Sequence, residues 1–159
     1  MPVRAAEHPD AEPLARPWWA GWRDGHAAIL PEALARLRTL DSFRERIGHA
    51  LPDVRVIGPA GAPLAFHLIK DDELNQFYVT AEARGTGVAA ELMADAEATL
   101  AARGVRTAWL ACAIGNDRAA RFYEKAGWVR TGVADVPAET SEGLFPLKVW
   151  RYEKRLMAA

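Results

Sequence analysis

An arginine and two glycines stand close together near the middle of the chain, in the segment Arg84-Gly85-Thr86-Gly87-Val88-Ala89. A strand-like apolar run ends before it at Val79, and apolar residues at four-residue steps follow it, as in a helix. A strand-to-helix junction directs unpaired amide hydrogens and the positive end of the helix dipole at one point, and glycine lets an anion approach the backbone. The segment therefore predicts a phosphate or pyrophosphate site, with a plain tight turn as the alternative.

The spacing Gly85-x-Gly87-x-x-Ala90 also fits the dinucleotide fingerprint loosely. That fold needs an acidic residue about 20 positions further on, to hold a ribose. The corresponding run, 109–114, contains no carboxylate, and no Gly-Lys-Ser/Thr follows the glycines as a P-loop requires. A nicotinamide enzyme and a P-loop nucleotidase are therefore both disfavoured.

Composition disfavours several other classes of function. The 159 residues carry 20 basic and 21 acidic side chains, so the net charge of −1 offers no electrostatic footprint for nucleic acid or an anionic membrane. The single Cys112 cannot form an internal disulfide, and the serines and histidines match neither a hydrolase nor a zinc pattern. No apolar run approaches the ~18 residues needed to cross a bilayer. We expect a cytoplasmic protein that uses no metal and binds neither nucleic acid nor membrane.

The elements that position the loop follow from the apolar pattern. Helical spacing predicts helices over 11–24, 31–40, 41–51, 85–103 and 116–127. Extended apolar runs predict strands over 54–57, 64–69, 74–79, 105–113, 128–133 and 148–152. Asp41 or Ser42 is expected to cap the third helix. The unit of strand, helix and strand around the loop requires a parallel pair, whereas the earlier hairpins are antiparallel, so the predicted class is α/β with a mixed sheet.

A second motif follows at 116–128, with the sequence Asn-Asp-Arg-Ala-Ala-Arg-Phe-Tyr-Glu-Lys-Ala-Gly-Trp. It is similar to the pattern N-x-x-A-x-x-x-Y-x-x-x-G-F/W, and 84–89 is similar to the pattern Q/R-x-x-G-x-G/A. Together the two motifs resemble the hallmarks of the GNAT superfamily of N-acetyltransferases. The resemblance is specific over 64–134, whereas the N-terminal helices and the last strands match only in outline.

The resemblance implies an α/β fold with a mixed, mostly antiparallel sheet, helices on both faces and a splayed central pair of parallel strands. It also implies that 1–159 form a single domain and that acetyl-CoA binds in the gap as co-substrate. The pyrophosphate is then expected on the amides of 84–89, and the pantetheine against the backbone of Tyr78 and Val79. Asn116 and Ala119 are expected to contact the cofactor, although capping of the next helix explains Asn116 equally well. Homodimers are frequent in the family, so a homodimer is one expected assembly.

Acetyl transfer to an amine needs a proton for the departing thiolate. Tyr123 is the expected donor, because the family pattern places it next to the cofactor; a packed aromatic with its hydroxyl in solvent is the alternative. A backbone amide near Val79 is expected to hold the thioester carbonyl. Cys112 lies in an apolar run without a nearby basic residue, so an acyl-cysteine route is disfavoured.

Glu73 is the expected general base for the acceptor amine. By strand alternation it shares a face with Asn75, Phe77 and Val79, from which it could accept the proton of an ammonium directly or through water. The alternative is a solvated acidic turn, since Asp71 and its successor are also acidic.

Further side chains could line the acceptor cleft. Trp22 and His26 lie at helical spacing in the first helix, which lines that cleft in the family, whereas Trp18 one turn earlier is more typical of a core. His26 and His67 are further candidates for the base, although a lone histidine in an apolar strand is more often structural. Glu139 could add negative charge for a cationic acceptor.

These features predict an enzyme, an N-acetyltransferase that moves the acetyl group of acetyl-CoA directly to a primary amine of a small molecule. Two alternatives stay open: acetylation of a protein N-terminus or lysine, and a non-catalytic module that binds acetyl-CoA. Tyr123 beside a complete anion loop favours catalysis. A closed pocket beside Trp22 and Glu73 would favour a small amine, and an open groove would favour a peptide.

Overall fold

A seven-stranded sheet forms the centre of the protein, in the strand order β1-β2-β3-β4-β5-β9-β6. The computed structural model describes residues 2–157. The strands of this sheet are β1 (Val3–Ala5), β2 (Val54–Ile57), β3 (Ala65–Lys70), β4 (Glu73–Val79), β5 (Thr107–Ala113), β6 (Val129–Asp135) and β9 (Lys148–Arg155). A separate hairpin joins β7 (Ala138–Thr140) to β8 (Gly143–Phe145).

Helices cover both faces of the sheet. They are α1 (Ala11–His26), α2 (Glu32–Leu37), α3 (Leu40–Ala50), α4 (Val88–Ala102) and α5 (Asp117–Lys125). On one face Trp18 of α1 and Phe43 of α3 pack against Phe66 of β3. On the other face Leu92 of α4 packs with Ala65, the neighbour of Phe66 along the same strand. No helix within 2–157 combines the length and the apolar character that a membrane span requires.

The two parallel strands at the centre of the sheet separate along their length. β4 and β5 pair only at Glu73 and Trp109, where the Trp109 amide donates to the Asp72 carbonyl at 3.2 Å. The other five neighbouring pairs of this sheet are antiparallel, and β5 pairs with β9 along its whole length. The predicted mixed sheet with a splayed parallel pair is therefore confirmed, and no strand within residues 2–157 lies beside that edge of β4 beyond Glu73.

A β-bulge at Asn75 changes the expected alternation of β4. Leu68 lies opposite Gln76, but the next residue of β3 lies opposite Leu74, so Asn75 is the extra residue. Leu74 and Phe77 consequently both pack on the face that α4 covers. The expectation that Glu73 shares a face with Phe77 and Val79 is wrong, because the bulge shifts the alternation by one residue between them.

Several element boundaries differ from the sequence prediction. Helix α3 begins at Leu40, and the Thr39 hydroxyl caps it by accepting from the Ser42 amide at 3.1 Å, so neither Asp41 nor Ser42 is the cap. Helix α4 begins at Val88 and not at residue 85, because the glycines before it adopt left-handed φ angles. Strand β1 and the hairpin β7–β8 were not predicted, since each strand has only three residues.

Candidate active site

A cleft of about 560 Å³ opens where β4 and β5 separate. We call it the main cleft; its walls come from α1, β4, β5, α5, the loop before α4 and the segment 136–139. The structure brings these predicted site residues together on its walls: Trp22, His26, Glu73, Tyr78, Val79, Arg84, Gly85, Ala89, Asn116, Ala119 and Tyr123. The other three predicted residues, Thr86, Gly87 and Val88, lie in the adjoining loop and do not line the cleft.

The loop 84–89 has the backbone geometry of an anion site. Gly85 and Gly87 have φ angles of +74° and +90°, and a Cβ at either position would meet nothing within 4 Å. Within the described residues, the amides of Gly85, Gly87, Val88 and Ala89 donate to no backbone carbonyl. Free amides at the start of a fifteen-residue helix favour a bound anion. These residues fit a pyrophosphate, with the exposed Arg84 beside them.

The aromatic ring of Tyr123 packs against three other rings. The centroids of Phe122, Tyr152 and Phe77 lie 5.7, 6.1 and 6.5 Å from its own. No described residue accepts a hydrogen bond from its hydroxyl or donates one to it. Burial raises the pKa of Tyr123, and neighbouring Cys112 raises it further, so the phenol stays protonated at neutral pH.

Cys112 lies on the wall of the main cleft but is not activated. Its side chain is buried, and this burial raises the pKa of the thiol to about 11. A thiol with this pKa is almost fully protonated at neutral pH, and it is therefore a poor nucleophile.

Asn116 caps helix α5 and also contacts α1. Its Oδ1 accepts from the Ala119 amide at 3.3 Å, and its Nδ2 lies 3.3 Å from His26 Nε2. Burial lowers the pKa of His26, although the nearby Trp22 carbonyl favours the protonated ring. His26 Nδ1 is buried and forms no hydrogen bond of good geometry with any described residue.

Glu73 lies half-buried at the point where the two parallel strands still pair. Burial raises the pKa of its carboxyl group, while a 3.2 Å hydrogen bond from Asn75 Nδ2 lowers it. The acidic neighbours Asp72 and Glu139 also raise the pKa, whereas Lys70 lowers it. The net effect is a carboxyl group that titrates closer to neutrality than an ordinary glutamate.

Tyr78 joins strand β4 to helix α1. Its hydroxyl donates to the Pro17 carbonyl at 2.7 Å, and its ring lies so close to α1 that a Cβ at Gly21 would come within 2.7 Å of it. Gly21 lies in the turn of α1 that follows Pro17, and because it has no side chain it leaves room for the Tyr78 ring. The side chain of Tyr78 is therefore structural, and its backbone is what β4 offers to the cleft.

The first helix presents aromatic side chains to both the core and the cleft. Trp22 stacks on His26 with centroids 5.8 Å apart, and both line the main cleft. Trp18 also borders the cleft, but only 7% of it is exposed, and it packs edge-on against Phe43. His67 lies outside the cleft, where its Nε2 is 2.8 Å from an Asp95 oxygen.

Three arginines on the wall of the main cleft were missed from the sequence: Arg38, Arg46 and Arg118. Arg118 is exposed and lies in α5, within the second motif. Arg38 follows helix α2 and Arg46 lies in α3, far from either motif along the chain. One signal was available: Arg46 precedes Ile47 and follows Phe43 by three positions, so it lies beside the apolar stripe of an amphipathic helix. Glu139 lines the cleft as well, but its carboxylate pairs with Lys70 at 3.2 Å.

Comparison with known proteins identifies the central segment. The model of the acetyltransferase (GNAT) family matches residues 64–128. Uncharacterized N-acetyltransferases of Mycobacterium tuberculosis and Mycobacterium bovis are 41% identical over 63 residues, which is 40% of this chain and 40% of each relative. The match thus spans well under half the length of these relatives.

Solved structures extend the likeness of fold to nearly the whole chain. A GCN5-related N-acetyltransferase from Rhodopseudomonas palustris has a TM-score of 0.72 at 21% identity, over 97% of this chain and 94% of that one. An N-acetyltransferase from Staphylococcus aureus has a TM-score of 0.71 at 18% identity, over 98% of each chain. The PaiA N-acetyltransferase of Thermoplasma acidophilum, solved with coenzyme A, has a TM-score of 0.63 at 18% identity, over 96% of this chain and 97% of that one. The segment 64–128 therefore matches the acetyltransferase (GNAT) family, and the fold of nearly the whole chain is similar to that of solved N-acetyltransferases.

Proposed function

We propose that this chain is a single-domain enzyme that transfers the acetyl group of acetyl-CoA directly to a primary amine of a small molecule. The observation that carries the proposal is the main cleft, which joins an anion loop, the free edge of β4 and the Tyr123 hydroxyl in one continuous space. The chemistry of this donor set fits a nucleotide thioester, because free amides suit its phosphates and an unpaired strand edge suits its amide-containing arm.

The residues of the chain divide the binding of acetyl-CoA between them. The amides of Gly85, Gly87, Val88 and Ala89 and the Arg84 side chain hold the pyrophosphate. The backbone of Tyr78 and Val79 pairs with the pantetheine. Asn116 and Ala119 border the same space at the start of α5. Acetyl-CoA supplies an activated acetyl group: the amine nitrogen bonds to the carbonyl carbon, the C–S bond breaks, and the thiolate must gain a proton.

Tyr123 donates that proton in the proposed reaction. Its hydroxyl has no hydrogen-bond partner among residues 2–157, and its raised pKa keeps it protonated through neutral and mildly alkaline pH. Burial also disfavours a thiolate at the same place, so the departing sulfur needs a proton donor. Cys112 takes no part, since its thiol is neutral.

Glu73 removes a proton from the acceptor ammonium. It lies on the cleft wall, and its raised pKa makes it a stronger base than an ordinary carboxylate. His26 also lines the cleft and is neutral near pH 7, but its Nε2 lies against the Asn116 amide. His67 does not line the cleft and contacts Asp95, which favours a structural role.

A thiol-release assay with acetyl-CoA tests this function. The panel holds primary amines, polyamines, amino acids and aminoglycosides, with peptides bearing a free N-terminus or a lysine as the comparison. The proposal expects CoA release with at least one small amine and a matching acetylated product. Release with peptides alone indicates a protein acetyltransferase, and tight acetyl-CoA binding without release from any acceptor indicates a non-catalytic module.

A further inference from the structure

Arg38 and Arg46 bring two positive charges to one wall of the main cleft. Arg38 is only 7% exposed, and its Nη1 donates to the backbone carbonyl of Glu139 at 2.7 Å. Its Nε is buried without any hydrogen-bond acceptor. Its guanidinium group therefore has one neutral partner and no carboxylate among the described residues.

Arg46 has even fewer polar partners. Its guanidinium carbon lies 4.5 Å from the ring centroid of Trp18 and 5.2 Å from that of Phe43. No residue within 2–157 forms a hydrogen bond or an ion pair with it. The rings fix the plane of the guanidinium group, but all five of its N–H donors remain free.

This arrangement is unfavourable in the free protein. Burial, together with the charge of Arg38, lowers the pKa of Arg46 to about 9. Glu139 is the nearby acidic residue that raises the pKa of Arg46, but it is exposed and pairs with Lys70. Other arginines of the chain behave differently: Arg55, for example, forms two hydrogen bonds with Asp95. Buried charges are normally paired, so the buried Arg38 without a carboxylate, beside the half-buried Arg46, points to a ligand.

The arginine pair lies on the acceptor side of the main cleft. Both residues also border a neighbouring cavity of about 450 Å³, which includes no residue of the anion loop. Arg46 lies in α3, which packs on the α1 face of the sheet, and Arg38 follows α2, whereas the loop 84–89 precedes α4 on the opposite face. An anion held by the pair is therefore separate from the pyrophosphate site.

We propose that the amine acceptor also carries a carboxylate, and that Arg38 and Arg46 bind it while the amine faces Glu73. This inference rests on the proposed function and names its substrate class: small amino acids. A planar carboxylate matches the forked donors of guanidinium groups, which bind it through paired charge-assisted hydrogen bonds. The cleft wall beside the pair is apolar, with Trp22, Leu30 and buried Leu34, so we expect an acceptor with an apolar side chain.

Paired acceptors test the carboxylate directly. The probes are L-phenylalanine, L-leucine and L-methionine, each against its carboxamide, with 2-aminoethyl phosphate as a phosphate-bearing amine. We expect kcat/KM for an acid to exceed that for its amide by about 10- to 100-fold, the range for a lost charge-assisted hydrogen bond. Equal rates for acids and amides overturn the inference but leave the acetyltransferase intact. A preference for the phosphate probe assigns the pair to a phosphorylated amine and also overturns it.

A binding measurement separates the inference from the proposed function. Calorimetry of each acid and its amide, with the protein saturated with CoA, requires no acetyl transfer. Binding of the acid alone supports the arginine site even if no acceptor is acetylated, in which case only the proposed function fails. Equal binding of acid and amide contradicts the arginine site whatever the activity.

The variant Arg46→Gln tests the residue, with Arg44→Gln as the matched control. Arg44 is on the same helix, but it is exposed and pairs with Glu12 and Asp41. We expect Arg46→Gln to raise KM for the acid by about 10- to 100-fold and to leave the amide reaction and CoA affinity unchanged. Arg46→Lys keeps the charge without the fork, and serves if the glutamine variant does not fold; a clear loss with the acid is again expected. A parallel loss of CoA affinity in either variant overturns the inference, since the pair then serves the cofactor.

Discussion

Tyr123 combines a tightly packed ring with a hydroxyl that has no hydrogen-bond partner in the described part of the chain. If this hydroxyl protonates the thiolate, Tyr123→Phe should lower kcat by about 100-fold, as for loss of a general acid, and should leave acetyl-CoA affinity nearly unchanged. Steady-state kinetics and calorimetry on the same preparations measure both quantities.

Tyr152→Phe is the control for that substitution. Tyr152 is also buried, but its hydroxyl is bound to Glu124 at 2.6 Å and it does not line the main cleft. Loss of the Tyr152 hydroxyl should lower the free energy of unfolding and leave kcat unchanged. Full activity in Tyr123→Phe would dismiss the general acid, and a collapse of acetyl-CoA affinity would make Tyr123 a packing residue.

Glu73 gives a prediction that depends on pH. Because its pKa is raised, the carboxylate forms only as pH rises through that higher value, and the rate should increase over the same range. Glu73→Gln should therefore lower kcat/KM most near neutral pH and less at high pH, where the acceptor amine is already neutral. Glu142→Gln, an exposed carboxylate outside the main cleft, is the control for the pH profile. A uniform loss across pH would assign Glu73 to acceptor binding.

The sequence predicted those side chains whose role is tied to a local motif. The loop 84–89 and Tyr123 belong to two continuous patterns, so their chemistry can be recognised without knowing the fold. Arg38 and Arg46 belong to no pattern, and they meet only because α2 and α3 pack beside β4 and the segment 136–139. Side chains joined by tertiary packing alone give no signal in the spacing of the chain.

At the scale of elements, the junction of β4 and α4 is the critical connection. Any residue other than glycine is strained at Gly87, because its φ angle is +90°. Gly87→Ala should weaken CoA binding by more than this strain explains, since the methyl group would stand where the pyrophosphate approaches the amides. Isothermal titration of CoA, with the free energy of unfolding measured in parallel, tests this.

Gly104→Ala is the matched control at the other end of the same helix. Its φ angle is +84°, and a Cβ there also meets nothing within 4 Å, so it should cost similar stability. We expect Gly104→Ala to leave CoA affinity unchanged. Equal CoA affinity in both variants would show that the loop 84–89 does not bind the pyrophosphate.

The start of α1 depends on one buried carboxylate. Asp10 accepts hydrogen bonds from Arg4 and from the amides of Glu7 and Gly61, and the Arg4 bond contributes most to lowering its pKa to about 2. A lowered pKa stabilises the fold above the unfolded value, and this contribution is lost as pH falls from about 4 to about 2.

Asp10→Asn should therefore reduce the free energy of unfolding by about 2 kcal/mol at pH 7 and by roughly half as much at pH 3. Denaturant unfolding at the two pH values measures the difference. Asp41→Asn, at an exposed carboxylate, should change neither value appreciably. An equal loss for Asp10→Asn at both pH values would show that hydrogen bonding without charge holds this corner.

Elements with many residues were predicted better than short or irregular ones. The strands from Val54 onward and helix α4 follow clear periodicity, whereas β1 and the hairpin β7–β8 have too few residues to form a pattern. The bulge at Asn75 lies within a regular strand sequence, and it arises from the way in which β4 pairs with β3. Its consequence for Glu73 could not be read from the spacing of side chains.

At the scale of the whole molecule, function follows from one interruption in an otherwise regular sheet. β4 pairs with β3 over its whole length but with β5 at only one position, so the sheet opens into a cleft at its centre. Segments on both faces then form the two ends of this cleft. The anion loop before α4 forms one end, and the arginine pair forms the other, with Arg38 after α2 and Arg46 in α3. The resemblance predicted the splayed pair, but the contents of the acceptor end required the three-dimensional structure.

The central claim is that the opening between β4 and β5 binds acetyl-CoA through the loop 84–89. Isothermal titration of the wild-type chain with acetyl-CoA and with S-acetylpantetheine, which lacks the pyrophosphate and nucleotide, tests it most directly. The account predicts one acetyl-CoA per chain and at least about 100-fold weaker binding of S-acetylpantetheine, as expected when several charge-assisted hydrogen bonds are lost. No binding of acetyl-CoA, or equal affinity for the two compounds, would contradict it.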